Sequence, residues 1–185
     1  MIDLEELVKK YLPKTKEVGL TTEADEATVA KHLKGYPEDM FEGMDEDEIA
    51  IYMLIEASFS DAFYTDFEGL GCEDFLKSIQ DISDGELAFS DVKTNVSEET
   101  LEKGIGTSEV SFKCNGELFS YTAQVYYDWF DIKFMTFVNT VLEKMGIEKK
   151  VIAFGNPNGT LITYKKPEFV GKFKESFPML EVDIT

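Results

Sequence analysis

The sequence predicts an α+β fold, with an N-terminal helical section packed on a mainly antiparallel sheet that carries hairpin–helix units. Three observations lead there. The apolar spacing is helical up to about residue 85 and has a period of two beyond it. Asn115-Gly116 sits between two alternating runs, and that dipeptide favours a tight hairpin because both turn positions need positive φ. Of the 185 residues, 43% are hydrophobic and 13% aromatic, enough for a substantial core without staples. Length suggests one domain over 1–185 with one core. Residues 1–85 read as mostly helical and acidic, and residues 86–185 as strand hairpins and two helices.

Residues 3–12 place Leu4, Leu7, Val8 and Tyr11 on one side of a helix that is expected to stop before Pro13. Residues 22–34 form a second helix, with Thr22 as N-cap and Gly35 after the last turn. A turn-rich stretch follows, marked by Pro37 and Gly43. Residues 46–58 carry the strongest helical signal of the first half. Acids at 45–48 suit the positive end of its dipole, and its middle, Ile-Ala-Ile-Tyr-Met-Leu-Ile, is apolar all round. This helix is expected to continue in broken form through residues 59–64. Gly69 and Gly71 punctuate, and residues 73–82 form a helix burying Phe75, Leu76, Ile79 and Ile82.

Residues 87–96 then read as a strand and 97–103 as a polar helical turn. Val110, Phe112 and Cys114 alternate with polar neighbours up to the Asn-Gly turn. In the return strand, Phe119, Tyr121, Ala123, Val125 and Tyr127 face one way and Leu118, Ser120, Thr122, Gln124 and Tyr126 the other. Asp128 or Asp131 caps a helix over 132–145, which Gly146 stops. Residues 151–154 and 160–165 make a second hairpin around Asn156-Pro-Asn-Gly159. Pro167 opens a closing helix that runs to about residue 177, and residues 180–184 form a last short strand. Asn115–Tyr121 and Asn158–Tyr164 echo one another. Two hairpin–helix units sharing one sheet is one reading of the echo; two unrelated hairpins is the preferred one.

The net charge is −19. All 18 basic residues are lysine. The first 100 residues hold 26 acids and 8 lysines, so nearly all the excess lies there. Phosphate contacts need clustered cations, so nucleic acid is excluded, and anionic membrane surfaces are disfavoured on the same ground. Imitation of DNA over the whole surface also fails on density, which leaves only a local patch such as Asp45-Glu46-Asp47-Glu48. The mean spacing of net charge is ~16 Å, beyond the ~8 Å Debye length at physiological salt. A basic protein surface is the natural complement. The longest apolar run, residues 49–55, falls far short of the ~20 residues a membrane span needs. Acids occupy the start of the chain where a secretory leader carries positive charge, so a cytoplasmic setting is expected.

Chemical motifs are scarce. The chain contains no GxxxxGK[ST] or GxSxG, and Gly104-Ile-Gly106 lacks the third glycine of a dinucleotide loop. His32 is the only histidine and reads as a surface or half-buried helical residue. No cofactor, metal or catalytic set is expected. Glu56, at the end of an apolar helix, is the sharpest carboxylate candidate, with Asp61 and Asp66 nearby. Its plainer role is to begin the polar end of that helix. Cys72 and Cys114 are expected to be free thiols. Cys114 reads as a packing residue; Cys72 sits at a helix start, a place that favours a thiolate, but no histidine or arginine is placed to assist, so it is expected to be unreactive. The partner-binding candidates are Asp45, Asp47 and Glu48 in the acidic run, and Tyr126, Asp128 and Trp129 in the aromatic knot Tyr126–Asp131. The competing reading for that knot is that Trp129 and Phe130 close the core at a corner.

From residue 87 onward the layout resembles small acidic immunity-type proteins of bacterial toxin systems. The segments behind the resemblance are Tyr127-Asp-Trp-Phe-Asp131 leading into 132–145, then 151–164, and Pro167-Glu-Phe-Val-Gly-Lys-Phe173. The resemblance covers about half the chain, and no binding residue transfers with it. It implies a compact intracellular protein that neutralises a toxin domain by binding it. The expected function is therefore a non-enzymatic protein-binding module, an immunity-type inhibitor that recognises a basic protein surface. The alternatives are a carboxylate-dependent hydrolase built on Glu56 with Asp61 or Asp66, and an accessory or structural subunit.

Overall fold

The computed structural model describes residues 2–22, 24–37, 39–156 and 159–183. Among them, seven helices and seven strands form an α+β fold with two antiparallel sheets, ordered β1-β6-β5-β7 and β2-β3-β4. The first half supplies α1 (Leu4–Val18), α2 (Glu26–Leu33), α3 (Glu46–Glu56), β1 (Ala62–Thr65) and α4 (Cys72–Asp81). The second supplies β2 (Phe89–Val96), α5 (Glu98–Lys103), β3 (Ile105–Cys114), β4 (Glu117–Tyr126), α6 (Ile132–Lys144), β5 (Lys150–Asn156), β6 (Gly159–Lys165), α7 (Phe169–Ser176) and β7 (Glu181–Asp183).

Several local expectations are corrected. α1 does not stop before Pro13 but runs through it to Gly19. Proline removes one helical hydrogen bond, yet Leu7, Val8, Tyr11, Leu12, Thr15 and Val18 keep the buried spacing intact on both sides of it. α2 is capped by Asp25, which accepts from Thr28 N at 2.7 Å. Thr22 instead bridges to Phe59 and donates its hydroxyl to the Ala57 carbonyl. Residues 59–64 are not broken helix. The chain turns at Ser58, with φ 47°, and enters β1, which pairs with β6. Ala62 faces one core and Phe63 the other, a two-sided demand that a strand meets and a helix does not. Pro167 lies in the turn before α7, where its carbonyl accepts from Val170 N.

Two sheets and two cores replace the expected single sheet and single core. The central strands β5 and β6 are apolar on both faces, so each face needs its own cover. Ile152, Phe154 and Leu161 point into a layer made by α1, α2, α3 and α7. Val151, Ala153, Ile162 and Tyr164 point the other way, onto α4 and α6. On the far side of α6, Phe112, Phe119 and Ala123 of the three-stranded sheet close the same second core. The two hairpins therefore lie in different sheets with α6 between them; Asn158 of the second falls outside the described residues.

α6 is fixed to the central sheet by a buried amide. Asn139 Nδ2 donates to the Val151 carbonyl at 2.8 Å, and Val151 N donates to Asn139 Oδ1 at 2.7 Å. β7 pairs with β5 only from Ala153 to Gly155, so this side chain occupies the place a neighbouring strand would take. The first hairpin forms as expected, with Asn115 at φ 48° and Gly116 at φ 89°.

Candidate functional site

The aromatic knot after β4 is divided by the fold. Phe130 turns inward, stacking on Phe67 at 5.6 Å and meeting Phe75 at 4.8 Å. Tyr126, Tyr127 and Trp129 stay in water, at 58%, 62% and 52% exposure. The corner reading thus holds for Phe130 and fails for Trp129, because the backbone reverses between them. Trp129 N donates to the Tyr126 carbonyl, Gly69 N to the Asp128 carbonyl, and Phe130 N to the Phe67 carbonyl. These bonds clip the turn onto the loop ahead of α4.

The backbone that carries the three rings is pinned, and the two tyrosine rings touch each other. Tyr127 has φ 54°, and its N–H donates to the Gly104 carbonyl at 2.5 Å. Its ring lies so close over Gly104 that a Cβ there would come within 2.8 Å of it. Gly104, at φ 67°, ends α5 and so serves both the helix stop and the ring seat. Tyr126 and Tyr127 meet edge to face at 5.1 Å. Ile105, opposite Tyr126 across β3–β4, is exposed, as are Leu101 on α5 and Ile132 at the start of α6. Glu68, Glu98, Glu99, Glu102, Asp128 and Asp131 border these segments, against Lys103, which pairs with Glu99, and Lys133. The result is an exposed aromatic corner whose flanking sequence is acidic, with Glu68 bridged to Trp129 and Ile105 paired with Tyr126. Such rings offer large contact area at low entropic cost.

The second candidate group makes contacts within the fold. Asp45 and Glu48 form a reciprocal capping box at the start of α3. Asp47 accepts from the Tyr11 hydroxyl at 2.7 Å, and Glu46 pairs with Lys10. The run Asp45–Glu48 thus fastens α3 to α1 within the helical layer and does not join Tyr126, Asp128 and Trp129.

The three carboxylates of the hydrolase reading also make separate contacts. Glu56 accepts from the Tyr36 hydroxyl at 2.6 Å and lies 3.2 Å from His32 Nδ1. These groups line an open cleft of about 460 Å³ with Lys31, Gly35 and Pro37. Burial, then the neighbouring Glu56 carboxylate, pushes the Tyr36 phenol up to about 12. Asp61 is bound elsewhere, to Lys165 Nζ at 2.5 Å and Thr21 N at 2.8 Å. Asp66 accepts from Glu68 N in a local turn. Neither aspartate lines the Glu56 cleft.

Both cysteines are free. At the Cys72 thiol burial outweighs the helix start. Burial, with Asp131 adding to it, pushes that thiol up to about 12, and burial pushes Cys114 up to about 11. Among the described residues no three His, Cys, Asp or Glu side chains gather as a metal site, and no helix is long and apolar enough to cross a membrane.

Sequence reasoning named Tyr126, Asp128 and Trp129 but missed Leu101, Ile105 and Tyr127. The available signal was a lone leucine in the acidic turn Ser97-Glu-Glu-Thr-Leu-Glu-Lys, next to two glycines that no phosphate loop explained. No protein-family model, curated protein or solved structure matches this chain.

Proposed function

We propose that this chain is a non-enzymatic protein-binding module that engages a basic protein surface, in the manner of the immunity-type proteins its second half resembles. The observation that carries the reading is the exposed corner of Tyr126, Tyr127 and Trp129, with the Tyr127 ring seated on Gly104 and acidic residues in the flanking sequence. Three large rings held in water by specific backbone bonds favour a role in contact over a role in packing. The acidic flanking sequence selects a cationic partner and speeds encounter at low salt. The carboxylate-hydrolase reading has less support, since Glu56, Asp61 and Asp66 have separate partner sets.

Trp129 is the only tryptophan, so its emission reports directly on the corner. A synthetic peptide of alternating arginine and leucine, titrated into the protein, is expected to shift that emission to the blue, with affinity falling as salt rises. Binding that leaves Trp129 emission unchanged would place the contact elsewhere and count against the reading.

A further inference from the structure

The three-stranded sheet has two unlike edges. β2 carries Lys93 and loses register between Ser90 and Lys93, where Asp91 has φ 52°. An irregular register and a lysine both hinder strand addition. β4 has neither lysine nor proline and keeps unbroken register with β3 over its 10 residues. The pair Cys114–Glu117 closes a two-residue turn, so odd-numbered residues of β4 exchange hydrogen bonds with β3 and even-numbered ones direct their N–H and C=O groups outward. Two contacts agree with that phase: Gln124 N donates to Asp131 Oδ2 at 2.9 Å, and the Tyr126 carbonyl accepts from Trp129 N at 3.1 Å. They occupy the far end of the edge. Leu118, Ser120 and Thr122 have no backbone partner on that side among the described residues, and their side chains are exposed or nearly so.

We infer that β4 pairs antiparallel with β4 of a second copy of this chain, about a two-fold axis at Ser120, to give one continuous sheet. The free stretch is self-complementary. Leu118 comes opposite Thr122 of the partner subunit, and Ser120 opposite Ser120 of the partner subunit, each pair exchanging both backbone bonds. Charge selects this occupant. The outward row Leu118, Ser120, Thr122, Gln124 and Tyr126 carries no charge, in a chain of net charge −19 with 30% charged residues. Glu109, beside it on β3, accepts the Thr122 hydroxyl at 2.8 Å. Two such acidic chains repel wherever acids meet, so close contact between copies needs a neutral strip. The pairing also covers Leu118, 63% exposed, which the aromatic corner does not explain. It leaves the two corners at opposite ends of the joined sheet, free to bind.

Sedimentation of the full chain from micromolar to millimolar concentration, at low and high salt, tests this. The mass is expected to rise with concentration from 21.0 kDa toward twice that value. Added salt should strengthen association by screening like charges, the opposite of its effect on a basic partner at the corner. Ser120→Pro removes an outward N–H and no β3–β4 bond, and is expected to stay monomeric. Leu118→Glu should raise the concentration needed for pairing by roughly tenfold or more through like-charge repulsion. Trp129→Ala should pair as the unaltered chain does. A monomer at every concentration and both salts overturns the inference and leaves the edge to a strand of another protein. Pairing by Leu118→Glu at unaltered strength also overturns it, and that variant decides if Ser120→Pro loses its circular dichroism.

Discussion

In the four-stranded sheet, β5 and β6 are buried on both faces, and the part of β5 that β7 does not reach is completed by the Asn139 amide. In the three-stranded sheet, β4 leaves an edge, an outer face and an aromatic corner in water. The contrast separates two jobs. The central sheet ties both cores together, and damage there should be felt as lost stability. The outer sheet presents surface, and damage to its exposed groups should be felt as lost contact with little change in stability.

The largest effect should come from Phe154→Ala. This ring is fully buried and lies 4.0 Å from Phe173 and 5.8 Å from Phe169, centroid to centroid. Its removal is expected to cost about 3–5 kcal/mol in denaturant unfolding. Asn139→Leu leaves the Val151 N–H and carbonyl buried without partners on that side, and should cost about 2–4 kcal/mol. Equal stability of Asn139→Leu and the unaltered protein would remove the amide's role as a strand substitute. Asp45→Ala breaks the capping box of α3 and should cost about 1 kcal/mol. Trp129→Ala should change stability by less than about 0.5 kcal/mol, since its ring packs at a surface corner.

A separate effect is expected at high pH. Burial holds the phenols of Tyr36 and Tyr121 up at about 12, against an ordinary value of 10.0. A raised phenol pKa means that the folded state holds its proton more tightly. The contribution is present in full below pH 10 and fades as pH rises through 12. Tyr36→Phe should therefore reduce the fall in stability between pH 10 and 12, and tyrosinate absorbance should show fewer phenols titrating late. An unchanged profile would detach Tyr36 from the alkaline transition.

Local elements were legible where one force dominated. The Asn115-Gly116 turn, the capping acid at Asp131 and the helix on Phe134, Met135, Val138, Val141 and Leu142 follow from turn chemistry and spacing. Misreadings arose where two demands competed. Pro13 suggested a stop, but the buried face of α1 outweighed one lost bond. Residues 59–64 looked helical because Phe59, Phe63 and Tyr64 are apolar, yet Ala62 and Phe63 serve opposite cores. The division into two sheets left no short-range trace, because it depends on both faces of β5 and β6 finding distant cover. At the site, Tyr126 and Trp129 were legible as an excess of rings at a strand–helix junction. Tyr127 was assigned to the inward row by alternation and escaped it through positive φ. The contacts of the run Asp45–Glu48 within the fold were not legible, since Tyr11 and Lys10 lie 36 residues away from their partners Asp47 and Glu46.

The division between the two acidic regions is tested most directly by calorimetric titration of the arginine–leucine peptide into Trp129→Ala and Asp45→Ala, each beside the unaltered protein. Trp129→Ala is expected to weaken binding by roughly tenfold or more, the scale of a contact hot spot, while Asp45→Ala binds as the unaltered protein does. Equal losses in the two variants, or a loss confined to Asp45→Ala, would contradict the assignment of recognition to the aromatic corner.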